Sequence, residues 1–118
     1  MKGTFDITKR CFDFAVLIVQ LANKLPRTAA GFAIANQIIR SGTSVGANVV
    51  EAQDAISKKE FIRIMFFALK ECRETLYWLS LILETKLLPQ KEIEDCLNEG
   101  KQLRAILATI VRKSKINS

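Results

Sequence analysis

Basic side chains aligned along two predicted helices could perform one kind of chemistry, the binding of phosphate groups. On the third predicted helix, a rotation of about 100° per residue brings six side chains within an arc of about 80°, opposite the apolar seam. This set, the first basic stripe, comprises Lys59, Arg63, Phe66, Lys70, Arg73 and Tyr77. The second basic stripe, on the fourth predicted helix, comprises Lys101, Arg104, Arg112 and Lys115.

The cations of the two stripes predict contact with RNA or DNA without sequence readout, because neutralising phosphates releases condensed counterions. The final 18 residues contain five basic side chains and no acidic one. Glu71, Glu74 and Glu84 flank the first stripe, however, and a charged helix face is often only a solvated one. An acidic protein or a membrane surface is a further alternative partner for these cations.

A second polar set lies on one flank of the second predicted helix. Its members are Gln37, Arg40, Ser44, Asn48 and Glu51. We interpret it as a hydrogen-bonded network at a packing or subunit interface. A catalytic site built on Arg40 and Glu51 is the alternative, and it would lack a second acid and a plausible nucleophile.

The absence of histidine excludes Ser-His-Asp and Cys-His catalysis and histidine-ligated zinc. A glycine-rich phosphate loop is also absent, since residues 40–46 lack the required lysine and follow no strand. We therefore predict a protein that is not an enzyme, with no catalytic residues, no metal ligands and no cofactor.

Hydrophobic residues repeat with a helical period in four segments, which predicts an all-α, antiparallel up-down-up-down four-helix bundle forming a single domain over residues 1–118. The first helix runs from Asp6 or Thr8 to Lys24, and the second from a Thr28 cap to about Asp54. The third runs from a Ser57 capping box to Lys86, and the fourth begins at Pro89.

The inward faces follow from the same period. On the first helix they are Cys11, Phe14, Ala15, Ile18, Leu21 and Ala22, and on the second Ala35, Ile38, Ile39, Gly42, Gly46, Val49 and Val50. On the third they are Phe61, Met65, Ala68, Cys72, Leu76, Leu79 and Leu83. Gly42 and Gly46 predict close approach of a neighbouring backbone, and Phe67 and Trp78 are expected in the core or an interface.

The first helix carries more apolar surface than one core requires. Phe12, Val16 and Val19 form a line about 100° away from its inward face. Either the bundle wraps this line closely or another subunit covers it, and we predict a homo-oligomer in which the three side chains contact another subunit.

Composition and cysteine usage bound the class of protein. The chain has 49% apolar and 25% charged residues and a net charge of +6, as expected for a globular protein. The odd number of cysteines, Cys11, Cys72 and Cys96, predicts reduced core thiols and a cytoplasmic location. Residues 28–39, the longest charge-free run, are too few to span a membrane.

Three segments are specific enough to compare with known proteins: Leu25-Pro26, the run from Gln37 to Ala52, and residues 57–61, Ser-Lys-Lys-Glu-Phe. They resemble those of a bacterial family, the four-helix-bundle proteins named for the intervening sequences of 23S rRNA genes. Ser41 and Ala52 stand where many members have Ala and Gly.

The resemblance implies a homopentameric ring or barrel of four-helix bundles. It also implies similarity to the accessory variability protein of diversity-generating retroelements, which associates with nucleic acid and a reverse transcriptase. The ribosomal-protein label often attached to the family reflects gene location, and the resemblance supplies no catalytic residues. A protein-binding scaffold without a nucleic-acid role remains the alternative function.

Overall fold

The computed structural model describes residues 6–117, and these residues form four α-helices without β-strands. The helices are α1 (Ile7–Ala22), α2 (Ala29–Ala52), α3 (Lys58–Glu84) and α4 (Glu94–Ile116). A short 3-10 helix, Gln90–Glu92, lies between α3 and α4. The predicted all-α class and helix bundle are confirmed.

Side-chain caps begin α2 and α3 where the sequence predicts them. The Thr28 hydroxyl accepts a hydrogen bond from the Gly31 amide at 3.1 Å. The Ser57 hydroxyl accepts one from the Glu60 amide at 3.1 Å, and the Glu60 carboxylate accepts one from the amide of Ile56. The capping box therefore forms with its return bond one residue earlier than in the usual arrangement.

Four helix boundaries differ from the sequence prediction. Helices α2 and α3 end at Ala52 and Glu84, two residues before the predicted ends. Helix α1 ends at Ala22, two residues before the predicted Lys24. Pro89 precedes the 3-10 turn, so α4 begins at Glu94 and not at Pro89. The proline still fits its position, because it lacks the amide that a first helical turn leaves unbonded.

Contacts at two levels along three pairs of helices, α1–α2, α1–α4 and α3–α4, establish the antiparallel order. Helices α1 and α3 run in one direction, and α2 and α4 run in the opposite direction. The contacts that define this order are Cys11 with Gly46 and Ile18 with Gly42, Arg10 with Glu99 and Lys24 with Glu92, and Phe66 with Lys115 and Cys72 with Gly100. One end of the bundle therefore holds the start of α3 and the end of α4, and the other holds the α1–α2 and α3–α4 connections.

The two glycines of α2 make room for α1 in different ways. A Cβ on Gly46 would lie 3.4 Å from the backbone carbonyl of Cys11, which is the predicted backbone approach. A Cβ on Gly42 would lie 2.7 Å from Cγ2 of Ile18, so Gly42 accommodates a side chain and the backbone prediction is wrong there.

The buried core follows most of the predicted inward faces. Val50 is 55% exposed, so its predicted burial is wrong. The pattern also missed buried residues that include Ile34 and Val45 on α2 and Ile64, Leu69 and Ile82 on α3. The structure also buries a polar pair, in which the Thr75 hydroxyl lies 2.9 Å from the Ser41 hydroxyl. Thr75 donates to the Ser41 hydroxyl, and Ser41 donates to the Ile38 carbonyl at 3.4 Å, so both hydroxyls are hydrogen-bonded and the pair costs little despite its burial.

Lys86, just beyond α3, has a left-handed backbone with φ of 59°. We expect Lys86→Gly to raise the free energy of unfolding by about 0.5–1 kcal/mol, because glycine adopts this conformation without a Cβ clash. Chemical denaturation measures the change. Lys86→Ala removes the same charge and keeps the Cβ, so a stabilisation by alanine equal to that by glycine would contradict the backbone explanation.

Candidate nucleic-acid interface

The cations of both basic stripes are exposed, as the helical pattern predicts. On α3 they are Lys59, Arg63, Lys70 and Arg73, and on α4 they are Lys101, Arg104, Arg112 and Lys115. The two stripes meet at one point, where the Lys115 ammonium of α4 lies 5.8 Å from the ring centre of Phe66 on α3.

Aromatic rings and cations alternate at this meeting point. The Arg63 guanidinium lies 5.7 Å from the centre of the Phe67 ring. The Lys70 ammonium lies 5.9 Å from the centre of Phe66 and 5.5 Å from that of Phe67. We call Arg63, Phe66, Phe67, Lys70 and Lys115 the basic–aromatic cluster.

Phe67 is 40% exposed, so of its two predicted places, the core or an interface, the core is excluded and the interface stays a prediction. Trp78 is partly buried against the core, as expected, and its ring meets Tyr77 edge to face at 5.1 Å between centroids.

The acidic flank of the first basic stripe is paired with α2. The Arg40 guanidinium donates to the carboxylates of Glu71, at 3.3 Å, and Glu74. The indole of Trp78 also donates to Glu74, at 3.0 Å. These two carboxylates are thereby partly neutralised on the α2 side, which removes much of the argument that they cancel the neighbouring cations of α3.

Most stripe cations have no acidic partner among the residues that the structure describes. Within residues 6–117, Arg63 pairs with Glu60 at 4.0 Å. No salt bridge in that range involves Lys59, Lys70, Arg73, Lys101, Arg104 or Arg112. By contrast, Arg10 and Lys24 pair with Glu99 and Glu92, each at under 3 Å. Unpaired positive charge is therefore concentrated on the outer faces of α3 and α4.

The polar set on α2 divides into two parts. Arg40 forms the bridge to α3, and its guanidinium also donates to the Gln37 amide oxygen at 3.2 Å within α2. Ser44 and Asn48 donate to carbonyls one turn earlier in α2, at 2.6 and 2.8 Å, and Glu51 is exposed. The predicted network thus joins α2 to α3 only at its Arg40 end.

An apolar groove runs between α1 and α2 on the opposite flank of α2. It has a volume of about 820 Å³, and its lining includes the predicted interface residues Phe12, Val16 and Val19. Val50 supplies part of the α2 wall, which the sequence pattern missed because it placed Val50 in the core. Arg40 and Glu51 do not line the groove, so it offers no pocket for the catalytic alternative.

Two further observations concern residues 6–117. None of the four helices combines enough length and apolarity to cross a membrane. In the same residues, no cluster of three or more cysteine, aspartate or glutamate side chains is placed to hold a metal ion.

All three cysteines are free and buried. Burial raises the pKa of Cys11 to about 12 and those of Cys72 and Cys96 to about 11. Because the thiolate is the reactive form, we expect a disulfide exchange reagent at pH 8 to modify none of the three thiols rapidly in the folded protein and all three in denaturant. A thiol that reacts within seconds before unfolding would contradict this burial.

A family model and a solved structure indicate the same family for this chain. The family model described as 23S rRNA-intervening sequence protein matches residues 3–109. A crystal structure of a protein of unknown function from the S23 ribosomal protein family of Bacteroides thetaiotaomicron superposes with a TM-score of 0.84 and 37% identity, covering 90% of this chain and 98% of the other. No functionally curated protein matches the chain. The chain therefore belongs to the 23S rRNA-intervening sequence protein family.

Proposed function

We propose that this protein is a non-enzymatic, cytoplasmic homo-oligomer that binds RNA or DNA through the outer faces of α3 and α4, without reading sequence. The observation that carries the proposal is the concentration of unpaired cations there. Six of the eight predicted contact residues form no salt bridge within residues 6–117, namely Lys59, Lys70, Arg73, Lys101, Arg104 and Arg112.

Sequence-independent binding fits the shape and chemistry of these faces. The exposed lysines and arginines offer point charges and guanidinium forks to phosphates, which carry no sequence information. Both faces are exposed on the outside of one bundle. Such a surface meets a nucleic-acid backbone sooner than the base edges inside a groove.

Homo-oligomerisation is part of the proposal. The groove between α1 and α2 exposes Phe12, Val16 and Val50, and contiguous exposed apolar surface of this kind commonly marks a protein interface. A second copy of the chain is the proposed occupant, and five subunits is the number that the family resemblance implies. The buried free thiols support a reducing, cytoplasmic location.

Binding to two unrelated oligonucleotides tests the lack of sequence readout. We expect fluorescence anisotropy at 50 mM salt to give affinities that agree within about threefold for mixed sequences of equal length, since phosphate contacts do not distinguish bases. A preference of tenfold or more for one sequence, or no binding to either, would argue against the proposal.

The apolar groove also favours a second candidate function, a protein-binding scaffold. Here the groove holds a different protein, and the cations are only a solvated surface. A pull-down from cell extract, with and without nuclease, separates the two candidates. A single stoichiometric protein partner that survives nuclease, together with no affinity for oligonucleotides, would favour the scaffold.

A further inference from the structure

The basic–aromatic cluster contains two neighbouring phenylalanine rings that face outward from α3. Phe66 is 39% exposed and Phe67 40% exposed, although both are large apolar side chains. Three cations surround them, with Lys70 within 6 Å of both ring centres. A solvated charged face does not require exposed rings, so phosphate binding alone leaves these two phenylalanines unexplained.

The cations cover the rings only loosely. All four separations, between 5.5 and 5.9 Å, lie near the outer limit of about 6 Å for a cation–π contact. A phosphate therefore competes well for these cations, because its attraction to an ammonium or guanidinium group is charge-assisted. A cation that moves toward a phosphate uncovers the ring beneath it.

The same arrangement continues along the outer face of α3. Cations and rings follow each other in the order Lys59, Arg63, Phe66, Lys70, Arg73, Tyr77. At about 1.5 Å per residue this line extends for about 27 Å. Tyr77 is 62% exposed at its far end, which provides a third ring.

We propose that the basic–aromatic cluster binds single-stranded nucleic acid by stacking unpaired bases on Phe66 and Phe67 while Arg63, Lys70 and Lys115 contact the adjoining phosphates. This inference rests on the proposed function and narrows it to the binding of single-stranded nucleic acid. Stacking on aromatic rings beside a positively charged track is how proteins bind single strands without sequence preference, since every base has a π-face.

A duplex uses only half of this site. Its bases are stacked on one another, so the rings on a convex helix find no free base face, and only the cations make contact. An acidic protein would also contact the cations and would not contact the rings. Stacking on the rings thus distinguishes a single strand from both.

The test compares a labelled 20-nucleotide single strand, as DNA and as RNA, with the corresponding 20-base-pair duplex. The variant is Phe66→Leu with Phe67→Leu, which keeps apolar bulk and removes both π-faces. We expect the affinity for single strands to fall about tenfold, because stacking contributes strongly per base, while duplex affinity changes by less than about twofold. Phe32→Leu, at a 54% exposed phenylalanine on α2 outside the cluster, is the matched control.

A photochemical readout locates the contact directly. Trypsin cuts after Arg63 and Lys70, so both rings lie in the peptide of residues 64–70. Ultraviolet cross-linking to the single strand is expected to add a nucleotide mass to this peptide in the native protein and not in the double variant.

The outcomes separate the inference from the function on which it rests. Equal loss of single-strand and duplex affinity in the double variant, or no loss in either, overturns the stacking inference and leaves phosphate binding intact. A native protein that binds neither single strand nor duplex at 50 mM salt overturns both.

Discussion

Replacing Lys59, Arg63 and Lys70 together by glutamine is expected to weaken nucleic-acid binding on the order of a hundredfold at 50 mM salt. Each lost phosphate contact removes about 0.7 from the salt slope on a single strand and about 0.9 on a duplex. Three contacts together therefore reduce the slope by about 2 to 3. Folding should change little, because all three side chains are exposed, and circular dichroism with thermal unfolding checks this.

The matched control removes three charges from the other end of the bundle. Arg27, Lys86 and Lys91 are exposed, and none forms a salt bridge within residues 6–117. Their replacement by glutamine lowers the net charge equally and should leave the affinity within a few-fold of the native value. Similar losses in both variants would mean that overall charge, and not the α3 face, governs binding.

Introducing Glu at Phe12 and Val50 is expected to dissociate the homo-oligomer and to lower the affinity for long nucleic acids about 10²-fold or more. The two side chains stand on opposite walls of the groove and are 67% and 55% exposed, so the monomer should still fold. Two carboxylates in an apolar contact lose hydration without a partner. A monomer also loses the avidity that several linked binding surfaces provide.

Native mass spectrometry and binding on one sample measure both effects. The variant should appear at 13.3 kDa and the native protein at a multiple of that mass. Gln90→Glu with Asn98→Glu adds the same charge at exposed positions outside the groove and should keep the native mass. A native protein that is itself a monomer at micromolar concentration would contradict the proposed interface.

Local sequence signals predicted the helices well because the forces that begin them are local. The hydroxyls of Thr28 and Ser57 bond amides three residues later, and that spacing is visible in the sequence. The start of α4 was less predictable. A proline can precede a 3-10 turn as well as an α-helix, so Pro89 alone does not distinguish the two.

Features that join two helices could not be predicted, because they depend on the register between helices. The bond between Ser41 and Thr75 requires their two helices to meet at one level, and the apolar period marks neither residue. The pairing of Arg40 with Glu71 and Glu74 has the same origin. A helical wheel placed those carboxylates beside the cations of α3 but gave no information about a partner on α2.

In the candidate site, too, features within one helix were predictable from the sequence and features that join two helices were not. The first basic stripe was predictable from the spacing on one helix, and its cations are exposed as expected. Arg63, Phe66 and Lys70 of the basic–aromatic cluster belong to that stripe. The place of Lys115 in the cluster was not predictable, because Lys115 reaches Phe66 across 49 positions of sequence through the antiparallel packing of α3 and α4. Only the α1 wall of the groove was predictable, because the surplus apolar line of α1 appears in the sequence. The α2 wall was not, because Val50 has the spacing of a core residue.

A salt titration of nucleic-acid affinity tests the central claim most directly. The claim is that exposed, unpaired cations on α3 and α4 bind phosphates. The logarithm of the association constant for a generic single strand is expected to fall linearly with the logarithm of salt concentration, with a slope of about −2 or steeper for three or more contacts. An affinity that is indifferent to salt, or no binding at low salt, would contradict the account.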